Sequence, residues 1–117
     1  MSYKFYQYKK CSTCRKAQKY LDELGVEYKE IPIRETPPSK ADLKKMLGFM
    51  DGEIKKLFNT SGQDYRAMNM KEKLPKLSVS KAIDLLASNG NLVKRPFLLG
   101  KNFGVVGFKE EIYKAQL

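Results

Sequence analysis

The chain holds two cysteines, three positions apart in the run Cys11-Ser12-Thr13-Cys14, with Arg15 and Lys16 immediately after them. It contains no histidine, which removes every scheme that needs an imidazole base and most zinc or copper sites. Two thiolates cannot close a tetrahedral zinc site within one chain, so no metal is expected. What remains is sulfur chemistry: attack by one thiolate, then displacement by the second thiol.

The elements around the pair decide which thiol does which. Tyr3 to Tyr8 is aromatic and largely alternating, which reads as a strand. Cys14, Ala17, Tyr20, Leu21 and Leu24 then form one inward helical stripe, with Gly25 as the stop. Cys11 therefore falls at a strand-to-helix junction, where unpaired backbone N–H groups, the helix dipole, and the cations Arg15 and Lys16 favour a thiolate. Cys11 is the candidate nucleophile. Cys14, on the inward stripe, is expected to be more buried and suits a resolving role. Val26 to Ile33 reads as a second strand, ended by Thr36-Pro37-Pro38, and completes a βαβ unit. A C-x-x-C opening the helix of such a unit points to a thioredoxin-like redox site rather than to two inert packed thiols.

Residues 39 to 89 read as a helical insertion. Ser39 and Asp42 have capping-box spacing, Leu43, Met46, Leu47 and Met50 form an apolar stripe, and Asp51-Gly52 breaks it. Ile54, Leu57 and Phe58, the turn Asn59 to Gly62, and Tyr65 and Met68 follow. A helix carrying Val79, Ala82, Ile83 and Leu86 runs from Ser78 to Asn89-Gly90. The methionine stripe of Met46 and Met50 is read as core, not as a metal site. Leu92 to Leu99 reads as a strand interrupted by Arg95-Pro96, Gly100 to Asn102 as a hairpin loop, Phe103 to Gly107 as the returning strand, and Lys109 to Ala115 as a closing helix. The fold class is α/β: a mixed sheet in βαβ…ββα order with the helical insertion, all 117 residues forming one domain.

With 23 Lys+Arg and 13 Asp+Glu the net charge is +10. It is spread evenly: residues 1–60 hold thirteen basic and eight acidic groups, and residues 61–117 hold ten and five. Each half is therefore +5, with no basic tail, a pattern that argues against direct nucleic-acid binding and suits an anionic substrate or acidic partner. The start Met-Ser-Tyr-Lys-Phe-Tyr lacks the apolar core of a signal peptide and no segment is apolar enough to span a membrane, so the cytoplasm is the expected compartment.

The Cys11 to Ala17 run after a strand, Thr36-Pro37-Pro38, Asn59 to Gly62 with Tyr65, and Leu92-Val93-Lys94-Arg95-Pro96 together resemble the arsenate reductase ArsC and Spx family over nearly the whole chain. The resemblance implies a thioredoxin-like domain, a catalytic or switch cysteine at Cys11, an oxyanion-binding Arg95 and a cis bond before Pro96. Ser12, Thr13, Arg15 and Pro96 are then expected at the substrate site. No bound cofactor is implied; an external thiol (glutathione, glutaredoxin or thioredoxin) would supply electrons to reduce a small oxyanion or disulfide. The glutathione/glutaredoxin-linked arsenate reductases of that family usually use three arginines and one cysteine. Here Ser61 and Gly107 stand at two of the arginine positions and Cys14 is an added cysteine, as in Spx-type redox switches, which bind the α subunit of RNA polymerase. An ArsC-like reductase and a Spx-like regulator are the two expectations.

Overall fold

The computed structural model describes residues 3–117; Met1 and Ser2, which open the stretch read against a signal peptide, lie outside the described residues. Strand β1 (Tyr3–Gln7) leads into helix α1 (Ser12–Leu24) and strand β2 (Tyr28–Pro32). Helices α2 (Lys40–Phe49), α3 (Gln63–Ala67), α4 (Met70–Lys73) and α5 (Val79–Ser88) follow, joined partly by 3-10 turns at Ile54–Leu57 and Leu74–Lys76. A third such turn, Gly90–Leu92, precedes β3 (Phe97–Leu99), β4 (Gly104–Val106) and α6 (Glu110–Gln116). The sheet order is β2-β1-β3-β4, with β1 and β2 parallel and the other neighbours antiparallel. The βαβ…ββα order is realised, with α2 to α5 between β2 and β3.

Alternation along β1 divides the core. Phe5 faces α1 and α6, where it packs with Ala17, Leu21, Leu98 and Tyr113. Tyr6 faces the opposite layer, built on Ile33, Leu43, Met46, Phe58, Ile83, Leu86 and Phe97. Of the stripe's methionines, Met46 is fully buried there and Met50 is half-buried against the same layer. Helix α1 ends where Gly25, at φ 71, gives its N–H to Asp22 and Leu21 carbonyls, a conformation glycine adopts without a Cβ clash. The stripe stops short of its expected end: Leu24 is 46% exposed. Ser39 Oγ caps α2 by accepting from the Asp42 N–H at 3.1 Å, but the box does not close back on Ser39. Asp42 instead accepts from Lys4 Nζ and Tyr6 Oη, each at 2.9 Å, tying α2 to β1.

The expected strand from Leu92 to Leu99 is shorter. Proline has no N–H to give a ladder, and the Arg95–Pro96 bond is cis. Val93 keeps only an isolated bridge to Phe58, and pairing with β1 starts at Phe97. Among the described residues no helix is long and apolar enough to cross a membrane.

Candidate active site

Because β1 and β2 are parallel, their carboxyl ends open onto the same edge of the sheet, the position at which open α/β sheets bind ligands. Tyr8 follows β1 there and Arg34 follows β2. Strand β3 runs the other way and enters from that edge, bringing Lys94, Arg95 and Pro96 with it. The far rim is the 59–64 turn, held by the Asn59 N–H on the Leu92 carbonyl at 2.7 Å and the Lys94 N–H on the Leu57 carbonyl at 2.8 Å. These segments enclose a cavity of about 560 Å³ whose wall includes Tyr8, Cys11, Thr13, Arg34, Asn59, Ser61, Asn91, Lys94 and Arg95. A larger cleft of about 930 Å³ runs along the outer edge of β4 beside Phe49, Phe103 and Ile112. It contains no cysteine, so the smaller cavity, with Cys11 on its wall, is the candidate site.

Cys11 is the N-cap of α1. Its N–H donates to the Tyr8 carbonyl at 3.0 Å, which fixes the turn out of β1, and its Sγ accepts the Cys14 N–H at 3.3 Å. Burial alone would raise its thiol pKa. Hydrogen bonds from the Cys14 side chain and N–H, then the charge and hydrogen bonding of Arg95, outweigh burial and bring it below the ordinary thiol value. Cys14 is fully buried. Burial, with the Cys11 sulfur beside it, pushes its thiol up to about 12 against partial opposition from a Tyr8 backbone hydrogen bond and Arg95. At neutral pH this leaves a proton-bearing Cys14 that donates to a Cys11 sulfur poised to carry negative charge.

Arg95, placed by the turn before β3, is the cation that acts on Cys11. Its Cζ lies 5.0 Å from the centre of the Tyr8 ring, and its buried Nη1 has no acceptor. Pro96 is buried behind it, outside the cavity wall, with its carbonyl accepting the Gly107 N–H at 2.8 Å. Of the two residues between the cysteines, Thr13 reaches the cavity wall while Ser12 is exposed away from it. Arg15, expected beside the substrate, also lies outside this cavity. Its Nη1 donates to the Lys9 carbonyl at 2.9 Å, so it braces the turn before Cys11. Ser61 is on the wall; Gly107, at φ 77, carries no side chain, and a Cβ there would meet Lys94 Cε at 3.4 Å.

Sequence reasoning missed Tyr8, Arg34 and Lys94. Tyr8 was read as the last strand residue, yet its ring carries two guanidinium groups: Arg34 Cζ lies 4.7 Å from its centre, beside the 5.0 Å contact of Arg95. The available signal was position, since Tyr8 ends the first expected strand of the βαβ unit and Arg34 directly follows the second.

A sequence model of the ArsC family matches residues 6–116. The chain belongs to the ArsC family. ArsC relatives of the whole length include the uncharacterized protein YusI of Bacillus subtilis, 49% identical over 97% of both chains. The global transcriptional regulator Spx of Streptococcus pyogenes is 29% identical, over 92% of this chain and 78% of its own. The crystal structure of an ArsC family related protein of Bacteroides fragilis superposes with a TM-score of 0.92 at 41% identity, covering 98% of this chain and 97% of the other. The fold is thus the thioredoxin-like one of ArsC proteins, with its mixed four-stranded sheet and helices on both faces.

Proposed function

We propose that this protein is an ArsC-type thiol reductase with Cys11 as nucleophile, Cys14 as resolving thiol and Arg95 as the cation that holds the Cys11 thiolate. The observation that carries the reading is the Cys11–Cys14 arrangement: a lowered N-cap thiol whose sulfur lies 3.3 Å from the N–H of a fully buried, raised thiol one turn on. On a disulfide substrate, Cys11 attacks one sulfur, the S–S bond breaks, and the other half leaves as a thiolate that takes a proton from solvent. Cys14 then loses its proton, attacks Cys11 Sγ and expels the remaining thiol. The cysteine pair supplies two electrons and becomes a disulfide, which an external dithiol such as glutaredoxin or thioredoxin reduces again. Intramolecular displacement is favoured because Cys14 is held next to its target.

Disulfides fit better than arsenate. Ser61 and Gly107 stand where the family resemblance implies two further arginines, and each missing charged hydrogen bond removes about 1.5–3 kcal/mol of oxyanion binding. Turnover of a small disulfide and of arsenate, coupled to thioredoxin and its reductase, tests the reading. Disulfide turnover that vanishes in Cys11→Ser and stalls after one mixed disulfide in Cys14→Ser is expected. The Spx relative, matched over 78% of its length, supports a second reading as a redox switch on RNA polymerase α. Absence of turnover together with oxidation-dependent capture of that subunit selects it.

A further inference from the structure

The cavity around Cys11 holds more positive charge than the thiolate needs. Arg34, Lys94 and Arg95 all line it. Among the described residues the ion pairs are Lys4–Asp42, Lys40–Asp84 and Lys56–Glu53, so none of the three cavity cations is ion-paired. The acidic residue on the wall, Asp64, accepts from Asn89 Nδ2 at 3.0 Å. Tyr8 orients Arg34 and Arg95 through its ring face, at 4.7 and 5.0 Å, but a ring face accepts none of the forked N–H donors that match a carboxylate.

Arg34 is also held from behind. The Ile33 N–H donates to the Gln7 carbonyl at 3.0 Å, and Gly90 lies so close to Ile33 and Arg34 that a Cβ there would sit 1.8 Å from the Ile33 carbonyl oxygen. A solvent-facing arginine fixed by backbone on one side and an aromatic ring on the other, with its charge unpaired, is arranged to meet an anion. The cavity, at about 560 Å³, is in the size range of small-molecule sites and many times the roughly 30 Å³ that one water occupies, so a single tetrahedral oxyanion leaves most of it empty.

We propose that Arg34 is a second anion-binding residue of this cavity and that it selects sulfur ligands carrying a carboxylate, the class being disulfides of small acidic thiols. The inference rests on Cys11 being the nucleophile. The ligand sulfur meets Cys11 beside Arg95 while its carboxylate lies on Arg34, with Lys94 adding long-range attraction. The bonds made and broken are those of the disulfide reaction above, and the carboxylate stays on Arg34 through the mixed-disulfide stage.

Alkylation by iodoacetate and by neutral iodoacetamide, nearly the same in shape, isolates recognition of the carboxylate from turnover. The readout is the iodoacetate-to-iodoacetamide rate ratio at Cys11, divided by the same ratio for a free thiol. The expected normalised ratio is above one in the wild type and falls about threefold to fivefold in Arg34→Gln, the scale of one exposed charge-assisted contact. Arg34→Lys should fall between, and the iodoacetamide rate should stay within about twofold. Lys81→Gln, which removes an exposed charge on α5, controls for net charge and should leave the ratio intact. The proposal is overturned if Arg34→Gln keeps the full preference or if Lys81→Gln lowers it equally. If Cys11 alkylates no faster than Cys14, the nucleophile assignment falls and the proposal with it; a fast Cys11 without anion preference sinks the proposal alone.

Discussion

Gly90→Ala should destabilise the protein and disturb the anion site together. The added Cβ would lie 1.8 Å from the Ile33 carbonyl oxygen, 2.8 Å from the Ile33 carbonyl carbon and 3.0 Å from Arg34 Cα, all backbone atoms that no rotamer change can move. Ordinary contact begins at 3.4 Å, so the two segments must part by about 1.6 Å, the difference between 3.4 and 1.8 Å. Separation on that scale breaks the Ile33 N–H to Gln7 carbonyl bond at 3.0 Å, which anchors the chain beyond β2. Overpacking costs about 1–3 kcal/mol and the lost bond about 1 kcal/mol, for a total of about 2–4 kcal/mol. With a urea m-value of about 1–2 kcal/mol/M, the unfolding midpoint should drop by about 1 M or more. Gly48→Ala is the matched control: it lies within α2 and its Cβ would meet nothing within 4 Å, so stability should rise by about 0.5–1 kcal/mol. Because Arg34 is displaced with Ile33, the iodoacetate preference should fall in Gly90→Ala only. A Gly90→Ala protein within about 0.5 kcal/mol of wild type would refute the close-approach reasoning.

Arg95→Gln should raise the Cys11 pKa, moving the midpoint of its alkylation rate to higher pH, while Arg15→Gln, whose guanidinium is bound to the Lys9 carbonyl, should not; equal shifts would return the local field to α1. Cys14 predicts alkaline sensitivity. Its folded pKa is about 12 against an ordinary 9.0, so between these values the unfolded chain has released a proton that the folded chain keeps, and stability falls as pH rises through that window. Buried Tyr6 and Tyr113, also raised, act with the same sign from 10.0 upward. Urea unfolding between pH 9 and 10 should therefore show a downward slope that flattens in Cys14→Ala; an unchanged slope would assign it elsewhere.

Much of this site was legible because it depends on local periodicity. The inward stripe through Cys14, Ala17 and Leu21 and the stop at Gly25 place Cys11 at a helix start without tertiary knowledge, and Cys14 in the core. Arg95 entered only through the family resemblance; read by itself, Pro96 marked no more than a break in an apolar strand. What stayed hidden depends on strand direction and register. Leu92 and Val93 are buried and apolar like a strand, but the backbone there is committed to a 3-10 turn and a single bridge. Arg15 and Lys16 are near Cys11 in sequence, so they looked like its cations; the Lys9 carbonyl captures Arg15, and Arg95 arrives from 84 positions away. Tyr8 and Arg34 meet only because β1 and β2 end side by side.

The central claim is that Cys11 and Cys14 form a reversible intramolecular couple, and mass spectrometry of the intact and alkylated protein tests it most directly. Treatment with one equivalent of a small disulfide should give a monomer lighter by two hydrogens, with both cysteines protected and no adduct, and a dithiol should restore two alkylatable thiols. In Cys14→Ser the same treatment should leave a lasting mixed disulfide at Cys11. A wild-type product that retains the adduct on Cys11 with Cys14 still free would contradict the account and leave Cys14 as a packed core thiol.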